Sequence, residues 1–304
     1  MITRATPEQT DEIHEVWKTC FPKEDPKYLD FYFKTLFRPE NCYVKTLEGK
    51  IVSVALRNRH VMMFNGRALA VSMISGVATL PEYRNRGCMH EVMHVVLDAC
   101  EHTELFTLIQ TEHPELYESM GFSTIYYRTK YQITRKDLAR ITTFGCAYDT
   151  APIDMLKVYS AYIKRFNGFY ARDLDYFVNY KKEVAALGGK IISFYNGKHE
   201  IRGYVVLIPQ GKEMLADELV YLDSVSLAKL CSAALQERKI VNLQVSRAED
   251  LAVVFPDSKY EDYGSTMVKL NDARLFSKVF NRKVKTVEEA YGLSSKPLNL
   301  NESD

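Results

Sequence analysis

Residues 77–89 read VATLPEYRNRGCM, and this stretch decides the fold. It predicts a strand that ends in a basic turn, followed by a helix from about Met89. Gly87 lets the backbone approach a ligand closely, and the first amides of the helix point to the same place as its dipole. Because Arg84 and Arg86 add positive charge, the turn suits a bound pyrophosphate. The alternative is a solvated turn that is basic and binds nothing.

The sequence on either side of this turn predicts a mixed α/β layer architecture. Glu48-Gly49 and Asn65-Gly66 lie between β-rich runs, which is typical of hairpin turns and indicates three to four antiparallel strands. Helices and strands with clear periodicity or capping signals surround these hairpins. The predicted elements are a first helix that begins at Thr6 and includes Ile13, Val16 and Trp17, further helices at about 26–37, 89–100 and 113–120, and strands at about 68–79, 105–109 and 124–133.

The second half of the chain repeats the order of the first. Two helical segments are followed by a strand, the turn Asn196-Gly197, two further strands and a helix, so we predict an internal duplication. The predicted helices span about 153–166, 173–187 and 224–237. No basic glycine turn joins the strand DELVYLD to its helix, so the second half lacks the anion site of the first.

Composition excludes several classes of protein. With 40 Lys and Arg against 39 Asp and Glu, the 304-residue chain lacks the basic excess of a nucleic-acid binder. No apolar run approaches the roughly 20 residues that span a bilayer, and the N-terminus lacks the apolar centre of a secretory signal. The six cysteines form no CxxC pair. We therefore expect a cytoplasmic protein without a disulfide framework, a nucleic-acid partner or a membrane partner.

The stretch at residues 77–89 resembles the acetyl-CoA loop of the GNAT acyltransferase superfamily. The core of that loop is Arg or Gln, two residues, Gly, one residue, and Gly or Ala. Arg84 and Gly87 match this pattern, whereas Met89 stands where Gly or Ala is usual. The resemblance implies a splayed, mostly antiparallel sheet, with the cofactor pyrophosphate on the loop amides and the pantetheine arm along the preceding strand. The implied cofactor residues are Val77, Ala78, Thr79, Arg84, Asn85, Arg86, Gly87, Cys88 and Met89.

A second segment, LYESMGF at residues 116–122, is similar to the Tyr-x-x-x-Gly-Phe segment that ends the GNAT core. In many members this tyrosine protonates the departing CoA thiolate, and the resemblance gives that role to Tyr117. A phenol with a pKa near 10 is protonated at neutral pH and can donate to a thiolate whose conjugate acid has a pKa near 8 to 9. A tyrosine that only packs against the sheet is the alternative.

The whole chain is similar to tandem acetyltransferases of the enhanced-intracellular-survival type, a resemblance that implies a bacterial protein. We predict a GNAT domain over 1–135, a connector over 136–151 and a degenerate GNAT-like domain over 152–265. The remaining residues, 266–304, resemble the entry to a third domain and are too few to complete it. In that family the terminal carboxylate can act as the base, a role that we do not transfer to Asp304. Glu112 and His113 are the candidate bases near the motif.

Other functions fit single features of the sequence. His90-Glu91-Val92-Met93-His94 satisfies the HExxH pattern of zinc hydrolases, although the Gly-x-x-His continuation is missing. Met89 and the incomplete C-terminal domain fit an acyl-CoA-binding or scaffold protein without activity. The tandem organisation also fits aminoacyl transferases of cell-wall synthesis, whose helical-arm insertion is not seen here.

Our leading prediction is an acetyl-CoA-dependent N-acetyltransferase without a metal. A small-molecule or peptide amine attacks the thioester directly, and Tyr117 protonates CoA. Acidic and aromatic residues of the first two helices can line a pocket for a cationic amine. The sequence leaves open the identity of the amine and a homo-oligomeric state. The candidate pocket residues are Trp17, Phe21, Asp25, Tyr28, Asp30 and Tyr32.

Overall fold

The computed structural model describes residues 1–138 and 141–302. The chain divides into two compact units, and each takes residues from distant parts of the sequence. The N-terminal unit contains Met1–Ile125 and Ser265–Ser294, with Glu302. The second unit contains Tyr126–Gly264 and Ser295–Asn301. Within the described ranges no helix is both long and apolar enough to cross a membrane.

The N-terminal unit is built from a sheet whose strands follow the order β1 (Ile2–Arg4), β2 (Cys42–Leu47), β3 (Lys50–Phe64), β4 (Arg67–Thr79), β5 (Phe106–Ile109) and β13 (Lys259–Leu270). All neighbouring strands are antiparallel except β4 and β5, which are parallel. The α-helices before residue 120 are α1 (Thr10–Cys20), α2 (Pro26–Thr35), α3 (Cys88–Glu101) and α4 (Glu115–Glu118).

Helices cover both faces of this sheet. On one face, α1 and α2 pack their apolar sides on β2 and β3, with Ile13, Trp17 and Phe33 in the core. On the other face, α3 packs Val92 and Val96 against β3, β4 and β5. These layers follow from strands whose alternate residues are buried on opposite faces and from helices with one apolar side.

The two predicted hairpins are present. Glu48 and Gly49 have φ values of 50° and 81°, and Asn65 and Gly66 have 46° and 77°. Two consecutive positive φ values are the requirement of a type I′ turn, which matches the twist of the strands that it joins. The turns therefore fix β2, β3 and β4 as an antiparallel meander.

The second unit repeats the order of the first. Its sheet runs β6-β12-β11-β10-β9-β7, and β11 and β12 are its parallel pair. The short strand β7 lies inside the stretch that the sequence indicated as a connector. The elements are β6 (Phe122–Thr134), β7 (Cys146–Ala147), α5 (Pro152–Tyr162), β8 (Phe169–Tyr170), α6 (Leu174–Ala186), β9 (Lys190–Tyr195), β10 (Ile201–Gln210), β11 (Glu213–Tyr221), α7 (Ser224–Glu237) and β12 (Ile240–Ser246).

The C-terminal segment differs from the expected separate extension, because residues from Ser265 to Ser294 belong to the N-terminal unit. It comprises β13 (Lys259–Leu270), α8 (Ala273–Phe280) and α9 (Val287–Gly292). Strand β13 pairs with β5. Phe276 of α8 and Tyr291 of α9 pack on Phe106, with ring centroids 5.9 and 5.0 Å away. These aromatic contacts give the segment a place in the core of the first unit.

Candidate active site

The central feature of the N-terminal unit is a split between its two parallel strands. Strands β4 and β5 pair from Val71 and Phe106 to Ile74 and Ile109, and the pairing ends there. Strand β4 continues to Thr79, so its last residues pair with no strand on that side among the residues that the structure describes. Its backbone polar groups beyond the split are therefore available to a bound chain.

A bulge in β4 shapes this edge. Val54 pairs with Ala78 and Leu56 with Ser75, so β4 has one extra residue opposite β3. Gly76, in the bulge, has φ +55°, and a Cβ atom there would lie 1.9 Å from Cζ2 of Trp17. Both the conformation and the close approach of the indole require glycine. The sequence pattern gave no sign of this contact between α1 and β4.

The predicted cofactor residues on β4 lie along the open edge. Val77 and Thr79 are partly exposed, whereas Ala78 is buried. The hydroxyl of the fully buried Ser53 donates to the Ala78 carbonyl at 3.0 Å and lies 2.8 Å from the Thr79 hydroxyl. Ser53, which the sequence analysis missed, thus fixes the end of the strand.

The turn after β4 leads directly into α3. Asn85 has φ +60°, and Gly87, at the N-cap of α3, has φ +77° with open space around the position of a Cβ atom. Within the described part of the chain, no side chain caps α3, so its first backbone N–H groups have no partner from a cap. Uncapped amides and the dipole of a helix N-terminus are the features that bind anions in proteins, so the predicted role of this turn stays a prediction that the geometry permits. Residues 84–87 are exposed, Cys88 is buried and Met89 packs partly buried on the α3 core.

The equivalent helix of the second unit is closed to anions. Asp223 caps α7 by accepting from the Ser226 amide at 2.7 Å, and Arg202 binds the same carboxylate at 2.7 Å. These bonds lower the pKa of Asp223, although burial acts in the opposite direction. A carboxylate of the chain itself therefore occupies the place that α3 leaves open.

The two arginines of the turn have different surroundings. Arg84 Nε donates to the Thr79 carbonyl at 3.1 Å, which ties the turn to the end of β4. The Arg86 guanidinium lies over the Tyr83 ring, 5.5 Å from its centroid, and makes no hydrogen bond or ion pair with the described residues. Arg86 is therefore the side chain of the turn that can turn towards an anion.

Tyr117 lies in α4 and belongs to the same apolar cluster as Val77 and Met89. It is 5% exposed, and its ring packs edge-on against Phe122 at 6.2 Å. Burial raises the pKa of Tyr117 to about 12, because the charged phenolate is poorly solvated there. The hydroxyl has no hydrogen-bond partner within residues 1–138 and 141–302 and keeps its proton at neutral pH.

The N-terminal residues of the chain match a known protein family. Residues 1–125 match the model of the acetyltransferase (GNAT) domain. The match shows a GNAT acetyltransferase domain over these residues. The predicted family and the class of enzyme, an acyltransferase, are thereby confirmed. GNAT acetyltransferases use acetyl-CoA as co-substrate and amines as acceptors.

Solved structures show that the likeness in fold extends over nearly the whole chain. A probable N-acyltransferase from Enterococcus faecalis V583 superposes with a TM-score of 0.78 at 16% identity, covering 91% of this chain and 74% of that one. Eis1 from Mycobacterium abscessus gives 0.69 at 15% identity, with 91% and 75% covered. A putative acetyltransferase from Pyrococcus horikoshii gives 0.60 at 12% identity, with 90% of each chain covered. No curated protein sequence matches the chain.

The HExxH segment, His90 to His94, lies on α3. His90 and His94 are exposed, and Glu91 binds the buried Lys45, with Oε1 and Nζ 2.5 Å apart. This bond raises the pKa of Lys45, which keeps the amine charged. Among the residues that the structure describes, no group of three or more His, Cys, Asp or Glu is placed to hold a metal ion. The glutamate of the pattern is engaged in this ion pair.

The two candidate bases lie in the segment between β5 and α4. Glu112 and His113 are exposed, and His113 Nδ1 lies 3.3 Å from Glu115 Oε1. Asp304 lies outside the described residues. Gln110, directly after β5, donates from Nε2 to the Glu302 carbonyl at 2.5 Å and to the Thr266 hydroxyl at 3.2 Å. This contact at the end of β5 joins residues 192 positions apart, which no local pattern reveals.

Four of the acidic and aromatic residues predicted to line an acceptor pocket have contacts within the first two helices. Trp17 stacks on Tyr32 at 5.3 Å within the core. Asp25 caps α2 by accepting from the Lys27 amide at 2.8 Å, and Asp30 lies 3.3 Å from the His14 imidazole. Asp25 and Asp30 thus interact with neighbouring groups of α1 and α2, and the acceptor pocket stays a prediction.

Proposed function

We propose that this protein is an N-acetyltransferase that transfers the acetyl group of acetyl-CoA to a primary amine in the crevice between β4 and β5. The observation that carries the proposal is the uncapped start of α3, directly after the open edge of β4. A CoA molecule has a pyrophosphate for the first feature and an amide-rich pantetheine arm for the second. The turn at Asn85 and Gly87 connects the two features.

The binding roles follow from these positions. The amides of Gly87, Cys88 and Met89 hold the pyrophosphate, and the guanidinium of Arg86 adds charge. Arg84 acts by tying the turn to Thr79. The backbone of Val77, Ala78 and Thr79 pairs with the pantetheine arm, and an N–H near Val77 polarises the thioester carbonyl.

The reaction proceeds by direct attack. The nitrogen of the neutral amine adds to the thioester carbonyl carbon, and the C–S bond breaks as the tetrahedral intermediate collapses. The sulfur receives the proton of the Tyr117 hydroxyl, and the proton lost by the amine restores the phenol through solvent. The apolar surroundings disfavour both the phenolate of Tyr117 and the thiolate of CoA. They therefore raise the pKa values of both groups, and proton transfer from the phenol to the sulfur remains possible.

Steady-state kinetics of the full chain and of Tyr117→Phe test this proposal. We expect the wild type to acetylate primary amines, and the variant to lose about 10²–10³-fold in kcat with CoA affinity nearly unchanged. Retained turnover in Tyr117→Phe would remove this residue from the mechanism. Binding of acetyl-CoA without transfer to any amine would favour an acyl-CoA-binding protein instead.

A further inference from the structure

One face of the N-terminal sheet carries partly exposed polar side chains between two helical layers. Val54 and Leu56 of β3 pack under α1 and α2, and Phe64 of the same strand packs against α8 and α9. Because alternate residues of a strand share a face, Asn58 and His60 lie on this face between the two layers. Both are partly exposed.

The region between the two layers has a hydrogen-bonded floor, which we call the polar floor and define as Asn41, Asn58 and Ser75. Asn41 Nδ2 donates to Asn58 Oδ1 at 3.4 Å, and Asn58 Nδ2 lies 3.3 Å from the Ser75 hydroxyl. All three side chains are uncharged and partly exposed. Each amide and hydroxyl keeps further capacity to donate or accept, which suits neutral polar groups.

The polar floor ends where the reaction is proposed to take place. Ser75 is the first residue of β4 beyond its last pair with β5, and Gly76 follows it in the bulge. The indole of Trp17 covers Gly76, and its Cε2, the atom bonded to Nε1, would lie 2.7 Å from a Cβ there. The floor, the bulge and this indole are thus contiguous at the open end of the crevice.

The indole N–H is the unexplained polar group at this place. Trp17 is 8% exposed, and its Nε1 is buried with no hydrogen-bond partner among the described residues. Buried N–H groups are nearly always paired, so a buried unpaired donor beside a crevice indicates a partner supplied by a ligand. Indole nitrogen only donates, so that partner is an oxygen acceptor.

We propose that the acceptor substrate is a primary amine that also carries an uncharged oxygen, as a hydroxyl, ether or amide, and that binds over the polar floor. The oxygen accepts from Trp17 Nε1, and the floor residues bind the remaining polar groups. This assignment rests on the proposed acetyl transfer and narrows its acceptor class. A polyamine is disfavoured because its second ammonium group finds no carboxylate in the polar floor.

A matched pair of amines tests the assignment with the full-length protein. 2-Methoxyethylamine and butylamine have the same length, and only the first carries an ether oxygen. With kcat/KM expressed per neutral amine, we expect the wild type to prefer 2-methoxyethylamine about tenfold. Trp17→Phe, which keeps a ring over Gly76, reduces the preference to within about twofold and leaves acetyl-CoA affinity unchanged.

A second variant and a second amine test the assignment even if Trp17→Phe does not fold. Asn58→Leu removes the hydrogen bonds of the floor and raises KM for β-alaninamide about tenfold while KM for butylamine stays the same. Equal rates for the matched amines in the wild type, an unchanged preference in Trp17→Phe, or putrescine as the best acceptor would overturn the assignment while acetyl transfer stands. Absence of transfer to every amine would overturn the proposed function itself.

Discussion

At the scale of single residues, the burial of Tyr117 has a consequence for pH dependence. A general acid works while it is protonated, and burial raises the pKa of this phenol to about 12. The acid is therefore present throughout the neutral and moderately alkaline range and is lost only as pH rises through that value. We expect kcat to show no decline from tyrosine ionisation between about pH 7 and 10.5, whereas an unperturbed tyrosine would lose its proton near pH 10.

A pH profile of kcat for the wild type and Tyr117→Phe checks this expectation. The ratio of the two rates should stay constant across the range. A ratio that falls towards one near pH 10 would show that the phenol ionises normally and lies in a more solvated place than the structure gives.

Gly76 holds the bulge of β4 at the open end of the crevice. A Cβ atom there meets Trp17 Cζ2 at 1.9 Å, and φ is +55°. Left-handed backbone and overpacking together cost about 2–5 kcal/mol, so Gly76→Ala should lower the free energy of unfolding by that amount. Chemical denaturation measures the change.

Gly49→Ala is the matched control for Gly76→Ala. Gly49 has φ +81° and nothing within 4 Å of a Cβ atom, so only the conformational cost of about 1–2 kcal/mol applies. Equal losses in the two variants would contradict the close contact with Trp17. A double variant with Trp17→Leu should recover part of the loss at Gly76.

At the scale of elements, the N-termini of α3 and α7 can be compared within one molecule, because the two helices have equivalent places in the two units. Asp223 caps α7, whereas Gly87 stands at the same position of α3 without a capping side chain from the described residues. Gly87→Asp should place a carboxylate on the α3 amides and compete with the pyrophosphate. We expect CoA affinity to fall at least thirtyfold, about 2 kcal/mol.

Gly87→Asn is the control, because asparagine has the same shape, tolerates positive φ and carries no charge. It should weaken CoA binding much less than Gly87→Asp when both are measured by calorimetry. Similar losses in both variants would mean that bulk and not charge is decisive at this position.

The elements also show what the sequence could and could not predict. The hairpin turn at Asn65-Gly66 and the turn before α3 were predictable, because their residue types favour particular backbone angles. Strand β7 was missed, because two residues carry no periodicity. The contact of Trp17 with Gly76 and that of Gln110 with Glu302 were unpredictable, since both join distant parts of the chain.

At the scale of the whole molecule, each unit is completed by residues from the other half of the sequence. The N-terminal unit takes β13, α8 and α9 from beyond residue 264, and the second unit takes most of β6. Internal duplication was predictable from the repeated order of elements, whereas this exchange was not. Strand pairing across more than 150 residues leaves no local signature.

This organisation predicts that residues 1–264 lack a stable N-terminal unit. Phe64 and Phe106 are fully buried and pack against Phe276, so removal of the last segment exposes them. We expect the truncated chain to lose CoA binding in calorimetry, because the N-terminal unit loses part of its core. The milder variant Phe276→Ala should retain the fold and lose about 3–5 kcal/mol. Native CoA affinity in residues 1–264 would contradict the exchange.

The most direct test of the central claim, that the uncapped start of α3 holds the pyrophosphate of CoA, is a calorimetric titration of the full chain with CoA. We predict one binding site per chain, with an affinity that Arg86→Met lowers about tenfold. Two sites per chain, or no binding at millimolar CoA, would contradict the account.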